Sequence, residues 1–297
     1  MDLAAWTRPE DTRRGVTFAI LSAFGFGTLA IFGRLADAAG LSVVTLLAFR
    51  FLLATPLVWL PLAGTGRLQR LEGRILWLAL AMGAVGYAAM SFLFLFGVNR
   101  TGAGLGGILL YVYPAIVVAI AATVLQEQIT RRTVAAVGLA LLGVVMVTRG
   151  QPTTVDPIGV VAVLLAAVVY SGYITVGRVV LESVDPASLS AYVIPAAALT
   201  FVLVGVGSGT VSVPVTPEEW GIVIGVAVVA TAVPILSFFV AVSAIGASRT
   251  SIVSTFEPVF TVALGALLLD ERLTVGTLIG GGAVLAGVLL VQSEQVE

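Results

Sequence analysis

Apolar runs of roughly twenty residues, each closed by a short polar break, succeed one another along almost the whole chain. They fall near 15–35, 41–62, 74–97, 103–126, 133–148, 158–181, 186–207, 219–243, 249–270 and 274–292. The breaks include Gly64-Thr65-Gly66-Arg67, Gln126-Glu127-Gln128, Arg149-Gly150-Gln151-Pro152, Asp185-Pro186, Thr216-Pro217-Glu218-Glu219 and Asp270-Glu271-Arg272. A helix needs about 20 apolar residues to cross a hydrocarbon core about 30 Å thick. The pattern therefore predicts ten transmembrane helices. No break is long enough for a soluble domain, so the helices form one membrane unit. The run that opens at Gly15, behind Arg8, Arg13 and Arg14, reads as a retained first helix and not as a signal peptide.

The second half repeats the first at an offset of 144 residues without a gap. Gly15 meets Gly159, Gly33-Arg34 meets Gly177-Arg178, and Gly102-Ala103 meets Gly246-Ala247. Pro114 meets Pro258, Glu127 meets Glu271, Thr130 meets Thr274, Gly138 meets Gly282 and Gly143 meets Gly287. One register over so long a stretch points to a duplicated unit. With five helices per unit, the second copy must enter the membrane from the opposite side. The expected fold is an all-α integral membrane protein of two inverted-topology repeats. Residues 1–14 form an N-terminal cytoplasmic segment, 15–148 the first repeat and 158–292 the second. Inverted repeats are a common architecture of secondary transporters.

Composition agrees and narrows the chemistry. Charged residues make up 10% of the chain, against about a quarter in a soluble domain, and the mean hydropathy is +1.11. All 15 basic residues are Arg, and the chain has no Lys, His or Cys. That excludes a Walker A loop, and with it ATP-driven transport by this chain alone. It also excludes His or Cys metal sites, Cys nucleophiles and His proton relays. No metal, cofactor or catalytic residue is expected, and a net charge of -1 implies no nucleic-acid partner.

Orientation follows from the arginines. With the N-terminus inside, Arg8, Arg13, Arg14, Arg67, Arg70, Arg74, Arg131, Arg132, Arg178 and Arg249 lie on the cytoplasmic side. Arg34, Arg100, Arg149 and Arg272 lie outside. The positive-inside bias predicts a multi-pass protein of the cytoplasmic membrane with both termini in the cytoplasm. Glycines such as Gly102-x-Gly104-x-Gly106-Gly107, Gly221-x-x-x-Gly225 and Gly276-x-x-x-Gly280 suit close helix packing in lipid. Trp6, Trp59, Trp77 and Trp220 fall near span ends, where indole anchors to the interface.

Two charges lie deep in predicted spans. Arg50 sits about 13 Å below the outer end of the second helix, and Glu257 about 12 Å above the inner end of the ninth. Both come near the midplane, where a charge faces a partner or a wet cavity. They form either a structural pair or a site for substrate or coupling ion. Tyr87, Tyr111, Tyr113, Tyr170, Tyr173 and Tyr192 cluster at similar depth, and a buried hydroxyl wants a partner. Pro114 and Pro258 break the fourth and ninth helices, as hinges or as tolerated kinks. Glu127 and Glu271 close those helices. Each is expected to satisfy the tight turn into the next helix, capped by Thr130 or Thr274, or else to serve as a gate.

These residues also carry a resemblance. The chain resembles the drug/metabolite transporter superfamily, in particular the EamA-type permeases with ten helices in two homologous halves. The matching text is Phe49-Arg50-Phe51-Leu52-Leu53-Ala54, then Tyr113-Pro114 through Gln126-Glu127. In the second half it is Phe256-Glu257-Pro258-Val259 through Asp270-Glu271-Arg272-Leu273-Thr274. Likeness extends from Gly15 to Val291, and Leu125-Gln126-Glu127 departs from the more usual Gly-Glu. The resemblance implies a small-metabolite permease or exporter, not an enzyme, with a central cavity open to one side at a time. It implies a pathway lined chiefly by the third, fourth, eighth and ninth helices. Missing Lys counts against nucleotide-sugar and phosphate-ester substrates.

The resulting expectation is alternating-access transport of a small organic metabolite. An amino acid or other zwitterion would place its carboxylate near Arg50 and its ammonium near Glu257. Alternatively Glu257 carries a coupling proton. A passive channel would need a ring of like groups, yet Arg50 aligns with Ile194. An intramembrane enzyme would have only carboxylate, Tyr or Ser chemistry available. Monomer and homodimer are equally compatible with the sequence.

Overall fold

A computed structural model describes residues 9–113, 155–180, 183–245, 253–254 and 256–294, with scattered positions between 116 and 146. Every element is a helix, and no strand occurs among the described residues. The labelled elements are α1 (Pro9–Gly27), α2 (Leu29–Ala38), α3 (Val43–Gly64), α4 (Gly73–Ala81), α5 (Ala88–Thr101) and α6 (Ala103–Leu110). They continue with α7 (Pro157–Val180), α8 (Pro186–Ser208), α9 (Pro217–Ala227), α10 (Val233–Ile245), α11 (Glu257–Leu268) and α12 (Val275–Glu294). Two π-helical turns, Met82–Tyr87 and Val228–Ala232, join α4 to α5 and α9 to α10.

Six helical stretches are long and apolar enough to span a membrane: Arg13–Ala38, Val43–Gly64, Gly73–Thr101, Pro157–Gly177, Ala187–Ser208 and Pro217–Phe238. They match the first, second, third, sixth, seventh and eighth predicted spans. The apolar helices Glu257–Leu268 and Val275–Gly287 are shorter. Most of the predicted fourth and fifth spans lies outside the described residues. The described positions from 113 to 146 are helical. The first helix starts at Pro9, ahead of the apolar run, and Thr28 interrupts it with its hydroxyl on the Gly25 carbonyl.

Local sequence sets the helix starts. Ser42, Asp185, Thr216 and Thr274 each accept a backbone N–H three residues on. Thr216 and Glu219 form a reciprocal capping box. Pro186 and Pro217 occupy the first helical turn, where a missing N–H costs nothing.

Tertiary pairing shows the inversion. The most extensive contacts are α1 with α10, α5 with α7 and α3 with α8. A shift of 144 residues turns the first pair into the second and maps α3 onto its own partner. Mates run antiparallel. Ser42 and Thr45 at the start of α3 meet Thr210 and Ser212 beyond the end of α8, while Gln69 beyond α3 meets Ser188 at the start of α8. Along α6 and α11, Gly104 faces Val262 and Gly107 faces Thr261. Repeats with parallel insertion would make mates parallel, so these contacts fix opposite insertion. Backbones approach closely at the crossings: a Cβ on Gly97 would lie 2.4 Å from Val163, and one on Gly25 would lie 2.6 Å from the Val229 carbonyl oxygen. Outward faces carry bare Leu, Val and Trp, with Trp77 72% and Leu267 77% exposed. Such a surface suits lipid and not water.

Candidate functional site

Arg50 is the largest fully buried side chain in the described core, 1% exposed on α3. Its Nε donates to Thr231 Oγ1 at 2.8 Å, and its Nη2 makes a long contact of 3.5 Å to the Tyr87 hydroxyl. The guanidinium carbon stands 4.8 Å from the centre of the Phe51 ring, within cation–π range. Nη1 has no partner among the described residues. Tyr87 and Thr231 lie 144 residues apart and are mates in the repeat. Each belongs to a π-helical turn at the same place in its own half. A π-turn inserts one residue into the helical ladder and re-aims the side chains it carries. Thr231 is further held by its own hydroxyl on the Val226 carbonyl at 2.9 Å.

From Arg50 a chain of aromatic rings crosses the interior. Phe201 stacks on Phe51 at 5.8 Å, Phe51 meets Tyr87 at 5.4 Å, and Tyr87 stacks on Tyr173 at 5.5 Å. Tyr173 then stacks on Tyr170 at 6.0 Å, Tyr170 meets Tyr113 at 4.8 Å, and Tyr113 meets Tyr111 at 5.7 Å. All these spacings lie in the favourable aromatic range. The Tyr111 hydroxyl donates to the Ser254 carbonyl at 3.2 Å and also interacts with the Glu257 carboxylate. Six rings, from Phe51 to Tyr111, thus connect a buried cation to a half-buried acid, with Phe201 stacked beyond Phe51.

Both helices at the acid end are broken at matching positions. Tyr111 and Val112 form a turn after α6, and Phe256 forms one before α11. Glu257 therefore occupies the first position of a helix, where unsatisfied N–H groups give a partial positive charge. Pro258 sits in that first turn, where it breaks no hydrogen bond. Ser171 reaches the Tyr113 carbonyl beside the other break at 3.0 Å. Thr261 bonds both the Glu257 carbonyl and the Gly27 carbonyl, tying α11 to α1.

The ion pairs among the described residues are Arg34 with Asp37 at 3.6 Å and Arg100 with Asp156 at 2.9 Å. Arg50 and Glu257 form no such pair. Of the tyrosines picked from sequence, Tyr87, Tyr111, Tyr113, Tyr170 and Tyr173 join the ring chain. Tyr192 does not: its hydroxyl accepts the Leu71 N–H at 3.3 Å beside an apolar cluster of Leu71, Met82, Val180 and Leu189, on which Tyr87 and Tyr173 also pack. Pro114 and Glu127 lie outside the described residues. A surface cleft of about 360 Å³, lined by Thr55, Pro56, Trp59, Leu60 and Pro195, is separate from the ring chain. No group of three or more His, Cys, Asp or Glu is arranged for a metal among the described residues.

Glu271 has a different partner from the one expected. Thr274 caps α12 as anticipated, and the turn itself is closed by the Glu271 N–H on the Gly265 carbonyl at 3.1 Å. The Glu271 carboxylate instead crosses to the other repeat. It accepts the Ala103 N–H at 2.6 Å and the Gly104 N–H at 2.8 Å, capping α6. A free helix start offers stronger donors than the turn could. Gly102, at φ +88°, turns the chain into α6. Cβ atoms on Gly102, Gly104 or Gly265 would lie 2.9 to 3.2 Å from the carboxylate oxygens.

Comparison with known proteins agrees with this architecture. The family model described as the EamA-like transporter family matches residues 13–149 and again residues 157–293. An uncharacterized transporter, YcbK, of Bacillus subtilis (strain 168) is 27% identical over 289 residues, covering 93% of this chain and 91% of its own. An uncharacterized transporter of Archaeoglobus fulgidus is 26% identical over 290 residues, covering 95% of this chain and 97% of its own. A solved crystal structure superimposes with a TM-score of 0.66 at 19% identity, covering 98% of this chain and 100% of its own. That last likeness is one of fold.

Proposed function

The chain belongs to the EamA-like transporter family, and from that premise we propose that it carries a small zwitterionic metabolite, such as an amino acid, along its aromatic strip. Solute carboxylate meets Arg50 at one end of the strip and solute ammonium meets Glu257 at the other, one after the other as the solute moves along it, and the tyrosines between them supply flat faces and hydroxyls. The observation that carries this reading is the pair of opposite charges left unpaired with one another at the two ends of one ring chain. A charge without an ionic partner is costly in a membrane interior, and a solute with matching ends offsets that cost at each place in turn.

Transport proceeds by alternating access about the axis that relates the repeats, with both termini in the cytoplasm. The coincident helix breaks next to Tyr111 and Glu257 give the bundle a place to bend. Purified protein in liposomes, loaded and assayed for counterflow with amino acids, sugars and amines, tests this. Exchange of a zwitterion, slowed but still measurable in Arg50→Ala and in Glu257→Ala, is expected. Wild-type exchange in both variants, each shown to be inserted, would end the proposal. If Glu257 instead carries a coupling proton, Glu257→Gln exchanges solute normally but no longer concentrates it along a pH gradient.

A further inference from the structure

The two π-turns bring one residue from each repeat to the same guanidinium. Thr231 takes Nε at 2.8 Å, and its mate Tyr87 lies 3.5 Å from Nη2. Because mates are related by the axis between the repeats, Arg50 stands close to that axis, on a helix pair that maps onto itself. The Phe51 ring covers one side of the guanidinium at 4.8 Å. This leaves Nη1, buried and without a partner among the described residues, as the group still to be satisfied. Among the described residues no carboxylate reaches Arg50. An orphaned N–H on a buried cation calls for an explanation. The site has a fixed cation, a free Nη1 with its two N–H groups and a neutral wall, which suits an anionic oxygen.

We propose that Thr231 is the positioning residue of an anion site on the repeat axis: it anchors Arg50 so that Nη1 faces a carboxylate group of the solute. The shorter contact makes Thr231 the dominant anchor and Tyr87 the minor one. The Thr231 hydroxyl donates to the Val226 carbonyl, so its lone pairs are aimed and need no reorientation to accept from Nε. Any solute with a carboxylate fits, while an amine lacking one does not. This rests on the reading that Arg50 meets the solute's carboxylate, and it names the residue that makes Arg50 able to do so.

Acetate is the probe, because it carries the anionic group alone. In protein labelled with nitrogen-15 arginine, the Nε–H resonance of Arg50 is identified by its loss in Arg50→Lys. Acetate should shift that resonance saturably in the wild type. Thr231→Val, nearly equal in size, should weaken acetate by about tenfold, the scale of one hydrogen bond to a charged group. Thr231→Ser should restore it, and Tyr87→Phe should weaken it less than Thr231→Val does. The remaining arginine signals report whether each variant is folded, and the Tyr87→Phe comparison with wild type stands even if Thr231→Val is not. No acetate shift at Arg50, equal affinity in Thr231→Val, or a larger loss in Tyr87→Phe than in Thr231→Val or than tenfold would each overturn the proposal. Acetate binding in a protein that exchanges no amino acid would keep this site and end the zwitterion reading. Amino-acid exchange with no acetate response would do the reverse.

Discussion

Replacing Glu271 by Ala should loosen the protein through a helix about 168 residues away in sequence. The carboxylate accepts two N–H groups, at 2.6 and 2.8 Å, that start α6 and have no other acceptor there. Each N–H left unsatisfied costs about 1–3 kcal/mol when buried, and loss of a helix cap costs about 1 kcal/mol. Glu271 is only half-buried, so a sum near 3 kcal/mol is appropriate for the pair. At about 2–3 °C per kcal/mol for a chain of this length, the unfolding midpoint in detergent should fall by roughly 6–9 °C. Glu271→Gln keeps one acceptor but turns an NH2 group toward the other N–H, so it should recover no more than half of the loss. Gly104→Ala should act in the same direction, since its Cβ would stand 3.2 Å from the carboxylate. In the Glu271→Ala background that same change should do almost nothing, because the oxygen it crowds is gone. A Glu271→Ala protein that melts with the wild type, or additive losses in the double variant, would refute the cap.

Gly97→Val should disrupt the crossing of α5 and α7, because even a Cβ would meet Val163 at 2.4 Å and the Gly159 carbonyl at 2.8 Å; a lowered yield of monodisperse protein measures it. Tyr192→Phe orphans the Leu71 N–H and should cost about 1 kcal/mol in detergent melts while solute KM stays put. Asp156, outside the spans, has its pKa lowered by the hydrogen bond from Arg100 and by the Ile158 N–H. Its contribution is therefore complete above the ordinary aspartate range and lost as pH falls through the depressed value. Asp156→Asn should differ slightly from wild type at pH 7 and merge with it in strong acid, as followed by melting across pH.

Much of the architecture was legible because membrane solvation writes it into composition. Runs of apolar residues, the 144-residue register and an odd helix count sufficed for an all-helical, inverted pair of repeats. Arg50 and Glu257 stood out as charges where lipid tolerates none, and five of the six chosen tyrosines do share one chain. Tyr192 was chosen on depth alone, and depth says nothing of which way a helix face turns. Thr231 escaped notice because a hydroxyl among apolar residues is ordinary, yet the register held the signal: it is the mate of Tyr87. The π-turns were invisible, since one inserted residue leaves a wholly apolar run wholly apolar. The breaks in the fourth and ninth helices lie before Pro114 and Pro258 and not at them. Proline has no N–H to bond the carbonyl four residues back, so the ladder lapses one turn ahead of Pro258 and the next helix begins at Glu257. Glu271 was read against its neighbours, whereas its partners lie in the other repeat.

The most direct test of a solute held in turn by Arg50 and Glu257 is selectivity, read by competition. Counterflow of a transported amino acid should be inhibited strongly by itself, weakly by its amide and weakly by its des-amino acid. In Arg50→Ala the preference for acid over amide should vanish while the preference for an ammonium remains, and Glu257→Ala should show the opposite pattern. Equal discrimination in all three proteins would contradict the account.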